Sequence, residues 1–185
     1  MSIRDRTIDG TIQDIGITIT GTNDAPTVSS AVVDSATDAS AMFTVDLLSG
    51  AMDVDTTDTL TVSGLAVTSG DDSGITINAN NTLSVDPSAY ASLGAGVTEE
   101  ISYSYDVEDS NGGSIAQTAT VTITGTNDAP TVSSAVVDSA TDASAMFTVD
   151  LLSGATDVDA LDTLTVSGLA VTAGAESGIP INANN

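Results

Sequence analysis

The side chains best placed to do chemistry in this sequence are carboxylates set in turns. Asp53-Val54-Asp55 with Asp58 forms one cluster, and Asp106, Glu108 and Asp109 run into Ser110-Asn111-Gly112-Gly113 as another. Asn23-Asp24 and Asn127-Asp128 sit in identical Gly-Thr-Asn-Asp-Ala-Pro contexts, and Asp34 and Asp86 stand near the ends of alternating segments. Between residues 21 and 124 there are fifteen acidic side chains and no basic one. Two carboxylates about 4 Å apart repel by roughly 1 kcal/mol in water and about 4 near a protein surface. Clusters of this kind therefore call for a cation, and an all-oxygen donor set favours Ca²⁺ over transition metals. Asp outnumbers Glu by 22 to 4, as suits short, stiff ligands in turns. Turns favour Asp for other reasons too, and Asp38, Asp46, Asp71 and Asp72 are read as solvated surface. Two of these, Asp71 and Asp72, become Ala175 and Glu176 in a second copy of the segment.

Composition removes most other chemistries. The chain has 185 residues, a formal net charge of −24, and no Cys, His or Trp; its only basic residues are Arg4 and Arg6. Disulfides, zinc–thiolate sites and thiol nucleophiles are excluded, as are a histidine base and a lysine amine. Only a glycosidase-type carboxyl pair remains, and no carboxyl sits in an apolar stretch that would raise its pKa, so the chain is read as not an enzyme. With no basic patch, neither nucleic acid nor an anionic membrane is an expected partner. No apolar run approaches the roughly 18 residues needed for direct membrane insertion. The 41% apolar content and mean hydropathy of +0.21 are nevertheless too high for a disordered acidic tail.

The elements that must position the carboxylates follow from a repeat. Gly21-Thr-Asn-Asp-Ala-Pro26 recurs as Gly125-Thr-Asn-Asp-Ala-Pro130, a period of 104 residues, and residues 125–185 follow 21–81 with seven changes. The chain reads as part of a longer tandem array. Residues 1–20 carry the last strand of a preceding unit, at about 7–20, with residues 1–7 standing outside the repeat pattern. A complete unit spans 21–124, and the N-terminal part of a second, near-identical unit spans 125–185. Within the complete unit, period-2 alternation marks strands around 43–47, 60–63, 75–77, 83–85, 101–107 and 119–123. A further strand near 27–34 brings the total to seven, the pattern of an all-β, Ig-like antiparallel sandwich. A turn of helix is expected near Pro87–Leu93.

The run Ala119-Thr-Val-Thr-Ile-Thr-Gly-Thr-Asn-Asp-Ala-Pro-Thr-Val132 resembles the junction of VCBS-type, cadherin-like repeats in giant RTX adhesins of Gram-negative bacteria. Tyr103-Ser-Tyr-Asp-Val-Glu-Asp-Ser-Asn-Gly-Gly113 and Tyr90-Ala-Ser-Leu-Gly-Ala-Gly96 resemble that family as well. The resemblance covers residues 8–185. It implies tandem cadherin-like sandwiches secreted by a type I system and held at the cell surface, with Ca²⁺ stiffening the links. It also implies ligands residue by residue. Asp34, Asp86, Asn127, Asp128, Asp157 and Asp159 would serve the junction between the two units, and Asn23, Asp24, Asp53, Asp55 and Asp109 the junction upstream. Ser88 stands where the cadherin pattern has a Glu, so one ligand is absent and one or two ions per junction are expected.

The function expected is thus that of a calcium-rigidified extender, whose partners are neighbouring repeats and which projects a tip ligand-binding region lying elsewhere. Gly125 is expected to act as a hinge when no ion is bound. A carbohydrate- or cell-binding sandwich is the alternative, weakened by the lack of Trp and by having only Tyr90, Tyr103 and Tyr105 as stacking platforms. Head-to-tail strand exchange between chains is a further, lesser expectation.

Overall fold

The computed structural model describes residues 2–6, 12–174 and 178–180. Alternating apolar and Thr/Ser positions give β-structure almost throughout these residues, because β-branched side chains pack well on a pleated surface. Strands β1 (Ser2–Arg6) and β2 (Ile12–Gly16) pair antiparallel. Part of the strand expected at 7–20 is therefore present as β2, while 7–11 lies outside the described residues. The strand at Ser2–Arg6 was not anticipated from sequence.

The main body is a two-layer sandwich. One layer has the order β4 (Val32–Thr37), β11 (Ser114–Thr124), β10 (Thr98–Glu108), β7 (Thr61–Ser69). The other contains β5 (Phe43–Asp46), β9 (Thr82–Val85) and β8 (Ile75–Asn78), with the short pair β3 (Thr27–Val28) and β6 (Ala51–Met52) beside it. All pairs are antiparallel except β4 and β11, which run parallel from Val32 opposite Ala119 to Thr37 opposite Thr124. The strand expected near 27–34 is thus two strands. The chain breaks at Ser29–Ala31 so that β3 joins β6 and β4 crosses to β11. A 3-10 turn at Pro87–Tyr90 falls where a helical turn was expected, with Asp86 as its cap.

Inward-facing residues of the two layers form one core. It includes Val45, Leu47, Leu83, Val85, Ile101, Val107, Val121 and Ile123, with Tyr90, Tyr103 and Tyr105 also buried. The Tyr105 hydroxyl donates to Leu47 O at 2.8 Å, tying β10 to the turn after β5, and that of Tyr90 donates to Asp71 O at 2.7 Å, tying the 3-10 turn to the loop after β7.

The second copy behaves differently despite its near identity. Among the described residues after Pro130, only β12 (Thr131–Val132) and β13 (Ala155–Thr156) form, repeating the β3–β6 pair. Val149 and Leu151, counterparts of the buried core residues Val45 and Leu47 (3% and 1% exposed), are 38% and 37% exposed. The cause lies in the pairing. Strands β4, β5 and β7 are held by β11, β9 and β10, and among the described residues no strand pairs with their counterparts in the second copy, whereas β3 and β6 need only each other. Strand propensity without a ladder partner does not make a strand.

Candidate metal centre

The β3–β6 pair delivers the first cluster. Leaving β6, the chain turns at Asp53, whose Oδ1 accepts the Asp55 amide at 2.8 Å, and Asp55 O then accepts the Asp58 amide at 2.9 Å. Such side-chain-to-backbone turns are what Asp does locally. They bring oxygens of Asp53, Asp55 and Asp58 within 4.8 Å of one another. The linker closes over them, with the Asp24 amide donating to Asp55 Oδ2 at 2.8 Å.

From the opposite layer, the β10–β11 turn contributes Asp109, which is only 7% exposed. Its carboxylate accepts from Asn23 Nδ2 at 2.9 Å, the Asn111 amide at 2.7 Å and the Gly113 amide at 2.8 Å. The Asn23 bond, opposed by desolvation and aided by the turn amides, holds the Asp109 carboxyl below its ordinary pKa. Asn111 Nδ2 reaches across to Asp58 Oδ1 at 2.7 Å, joining the two turns.

The same geometry recurs one period later. Asp159 Oδ2 accepts the Asp128 amide at 2.9 Å, Asp157 Oδ1 accepts the Asp159 amide at 3.1 Å, and Asp159 O accepts the Asp162 amide at 3.1 Å. Asp157, Asp159 and Asp162 converge within 4.8 Å. This second cluster lies against the complete unit, where the Ala160 amide donates to Ser92 O at 3.1 Å. No counterpart of Asp109 is available within the chain, and Asn127 Nδ2 turns instead to Asp128 O at 2.7 Å.

Three carboxylate oxygens in these clusters are buried without any hydrogen-bond partner: Asp53 Oδ2, Asp58 Oδ2 and Asp159 Oδ1. The last belongs to a side chain only 2% exposed. A buried charged oxygen left unpaired is strongly unfavourable, and here like charges surround it in a stretch, residues 12–174, whose sequence holds no Lys or Arg. Oxygen-only donors, orphaned and convergent, fit a hard divalent cation.

Of the residues expected from sequence, Asn23, Asp24, Asp53, Asp55 and Asp109 come together, and so do Asp128, Asp157 and Asp159, while the Asn127 side chain bonds Asp128 O and stays out of the second cluster. Asp34 and Asp86 join neither cluster. Asp34 stands mid-strand opposite Val121 and accepts the Ser35 amide at 2.8 Å, while Asp86 caps its 3-10 turn through Ser88 N at 3.1 Å and Ser88 Oγ at 2.7 Å. Asp58 and Asp162 are the converging carboxylates that the expected ligand set omits; the shared spacing Asp-x-Asp-x-x-Asp is the signal for both.

Two expectations about the linker are corrected. Asp38, read as solvated, is 5% exposed, and both its carboxylate oxygens take the Thr126 amide at 3.0 and 3.1 Å, with Thr126 Oγ1 at 2.7 Å. Gly125 is no hinge. Its amide donates to Val97 O at 2.7 Å, its carbonyl accepts from Gly96 N at 2.9 Å, and an added Cβ would lie 2.3 Å from the carbonyl oxygens of Leu93 and Gly94.

No curated protein matches the chain. A family model described as "Cadherin-like domain" matches residues 22–124, more than half of the chain and the whole of the sandwich from β3 to β11. The two-layer fold, the linker-proximal carboxylates and this match agree, and the chain belongs to the cadherin-like domain family.

Proposed function

We propose that this chain is a calcium-stiffened spacer from an array of cadherin-like modules outside a bacterial cell, of the kind its repeats resemble in RTX adhesins. The complete unit spans 21–124 and a second begins at 125. A cadherin-like domain is an adhesion-type extracellular module, and among the described residues no helix is long and apolar enough to cross a membrane. The observation that carries the reading is Asp159, buried, unpaired at Oδ1, and held by the linker amide of Asp128.

Calcium, when bound, supplies the charge that lets these carboxylates approach. Asp157, Asp159 and Asp162 would hold it in the second unit, and Asp53, Asp55, Asp58 and Asp109 in the first. Extracellular modules bind calcium with dissociation constants of roughly 10⁻⁴ to 10⁻³ M. Such sites stay empty at cytosolic calcium levels and fill outside, where the junction loses freedom and successive units become a rod. The binding-module alternative is disfavoured in the complete unit, because all three tyrosines are buried there and offer no ring face to a sugar.

The test is a calcium titration of the full chain with magnesium and EDTA controls, followed by melting and small-angle scattering. Millimolar calcium should raise the melting temperature and lengthen the particle, and magnesium should do neither. Identical curves in EDTA and calcium would overturn the spacer reading.

A further inference from the structure

The clusters above contain carboxylate oxygens that lack partners; Asp38 is the opposite case. It is a buried charge with both oxygens satisfied, and every donor comes from one linker residue, Thr126, 88 positions away in sequence. Its own amide donates to Thr124 O at 3.1 Å, so Asp38 is fixed at the end of β4 where β11 runs out. Beside it, Gly125 is caged by the loop at residues 93–97 through both its amide and its carbonyl. Hydrogen bonds to an ionised carboxylate are about twice as strong as neutral ones. None of these contacts involves a group left wanting a cation.

The chain carries its own control. Gly21-Thr22 has the sequence of Gly125-Thr126 but both residues are exposed, and nothing lies within 4 Å of a Cβ placed on Gly21. Asp142, the counterpart of Asp38, is likewise exposed. The burial of Asp38 therefore goes with the paired β4–β11 ladder and the linker seated on its end, and is not a property of the local sequence.

We infer that Asp38 is a positioning residue that locks the linker to the upstream sandwich without an ion, leaving calcium to lock only the downstream half. Stiffness across a junction then has two parts in series. Asp38, Thr126 and caged Gly125 set the direction in which the chain leaves one unit. Asp128 with Asp157, Asp159 and Asp162 sets how the next unit sits on that exit. This rests on the spacer reading for its use of calcium, but the clamp itself stands apart from it.

The experiment separates the two. Amide exchange on the full chain in EDTA should show Thr126 N–H protected relative to Thr22 N–H. Asp38→Ala should abolish that protection by roughly ten- to hundredfold, the equivalent of one charge-assisted hydrogen bond. Thr126→Val, which keeps the amide but removes the hydroxyl, should lose less, and Asp38→Asn should retain part. Because the chain has no native cysteine, spin labels at Thr76→Cys and Ser153→Cys can report the distance between units. Calcium should narrow that distribution in the otherwise native chain. In Asp38→Ala, calcium should bind with unchanged stoichiometry yet leave the distribution broad.

Thr126 exchanging as fast as Thr22, or a narrow distribution in calcium-loaded Asp38→Ala, would overturn the clamp. So would loss of a bound calcium in Asp38→Ala, since Asp38 would then be a ligand. If the native chain binds no calcium, the spacer reading fails, and the exchange measurement in EDTA alone decides the clamp.

Discussion

Replacing Asp55 by Asn should move stability in opposite directions depending on calcium. Asp55 belongs to two of the three carboxylate pairs formed with Asp53 and Asp58, all within 4.8 Å. At that separation each pair repels by about 1 kcal/mol in bulk water and about 3.5 at the effective dielectric of a protein surface. The three residues are half-buried, so solvent screening reduces the net relief to about 1–2 kcal/mol. The Asn side-chain oxygen still accepts the Asp24 amide that Asp55 holds at 2.8 Å, and the linker contact survives. In EDTA the variant should therefore melt above the native chain by roughly 4–15 °C. In 5 mM calcium, binding at the roughly 10⁻⁴ to 10⁻³ M expected stabilises the native chain by about 1–2 kcal/mol, and most of that increment disappears in the variant. Tyrosine fluorescence is the right signal, because Tyr90, Tyr103 and Tyr105 all lie in the complete unit. A variant that melts lower in EDTA and keeps the native calcium increment would refute the reasoning.

Gly125→Ala should destabilise the complete unit and free the linker, since its Cβ would meet two carbonyl oxygens at 2.3 Å, whereas Gly21→Ala should be nearly neutral; paired melting curves check the contrast. Burial pushes the hydroxyls of Tyr103 and Tyr105 up to about 12. The folded state thus favours the neutral phenols, a contribution fully present below pH 10 and lost as pH rises toward 12. Spectrophotometric titration should place phenolate formation near the upper value in folded chain and near 10 in denaturant.

The sandwich was legible where alternation runs long. Ile101-Ser-Tyr-Ser-Tyr-Asp-Val107 announces β10, and Ala119-Thr-Val-Thr-Ile123 announces β11. Strand β6 was not, because two residues cannot show a period. Nor was the division of β3 from β4, since leaving one layer for the other at Ser29–Ala31 changes the pairing partner without changing the residue types. The misplacement of Asp34 follows from the same blindness. Alternation does not say that β4 continues to Thr37, which puts Asp38 and not Asp34 at the strand end. Turn carboxylates were readable because their geometry is local, as in Asp53 bonding Asp55. Asp38 was not, because the residue it holds is 88 positions on. Alternation reports which face a residue prefers and not whether a partner strand lies beside it, so the same pattern in the second copy stands without the β4, β5 and β7 pairings among the described residues.

The parallel pairing of β4 with β11 has a mechanical consequence. In an array under tension, force enters the complete unit through the segment before Val32 and leaves after Thr124. Because the two strands run the same way side by side, the pull drags β4 past β11 along their common axis and loads the interstrand bonds from Val32 opposite Ala119 to Thr37 opposite Thr124 together. An antiparallel pair entered and left at one end would instead open bond by bond, like a zip. Loading in shear makes the whole ladder resist at once, so a unit of this topology yields abruptly and at high force.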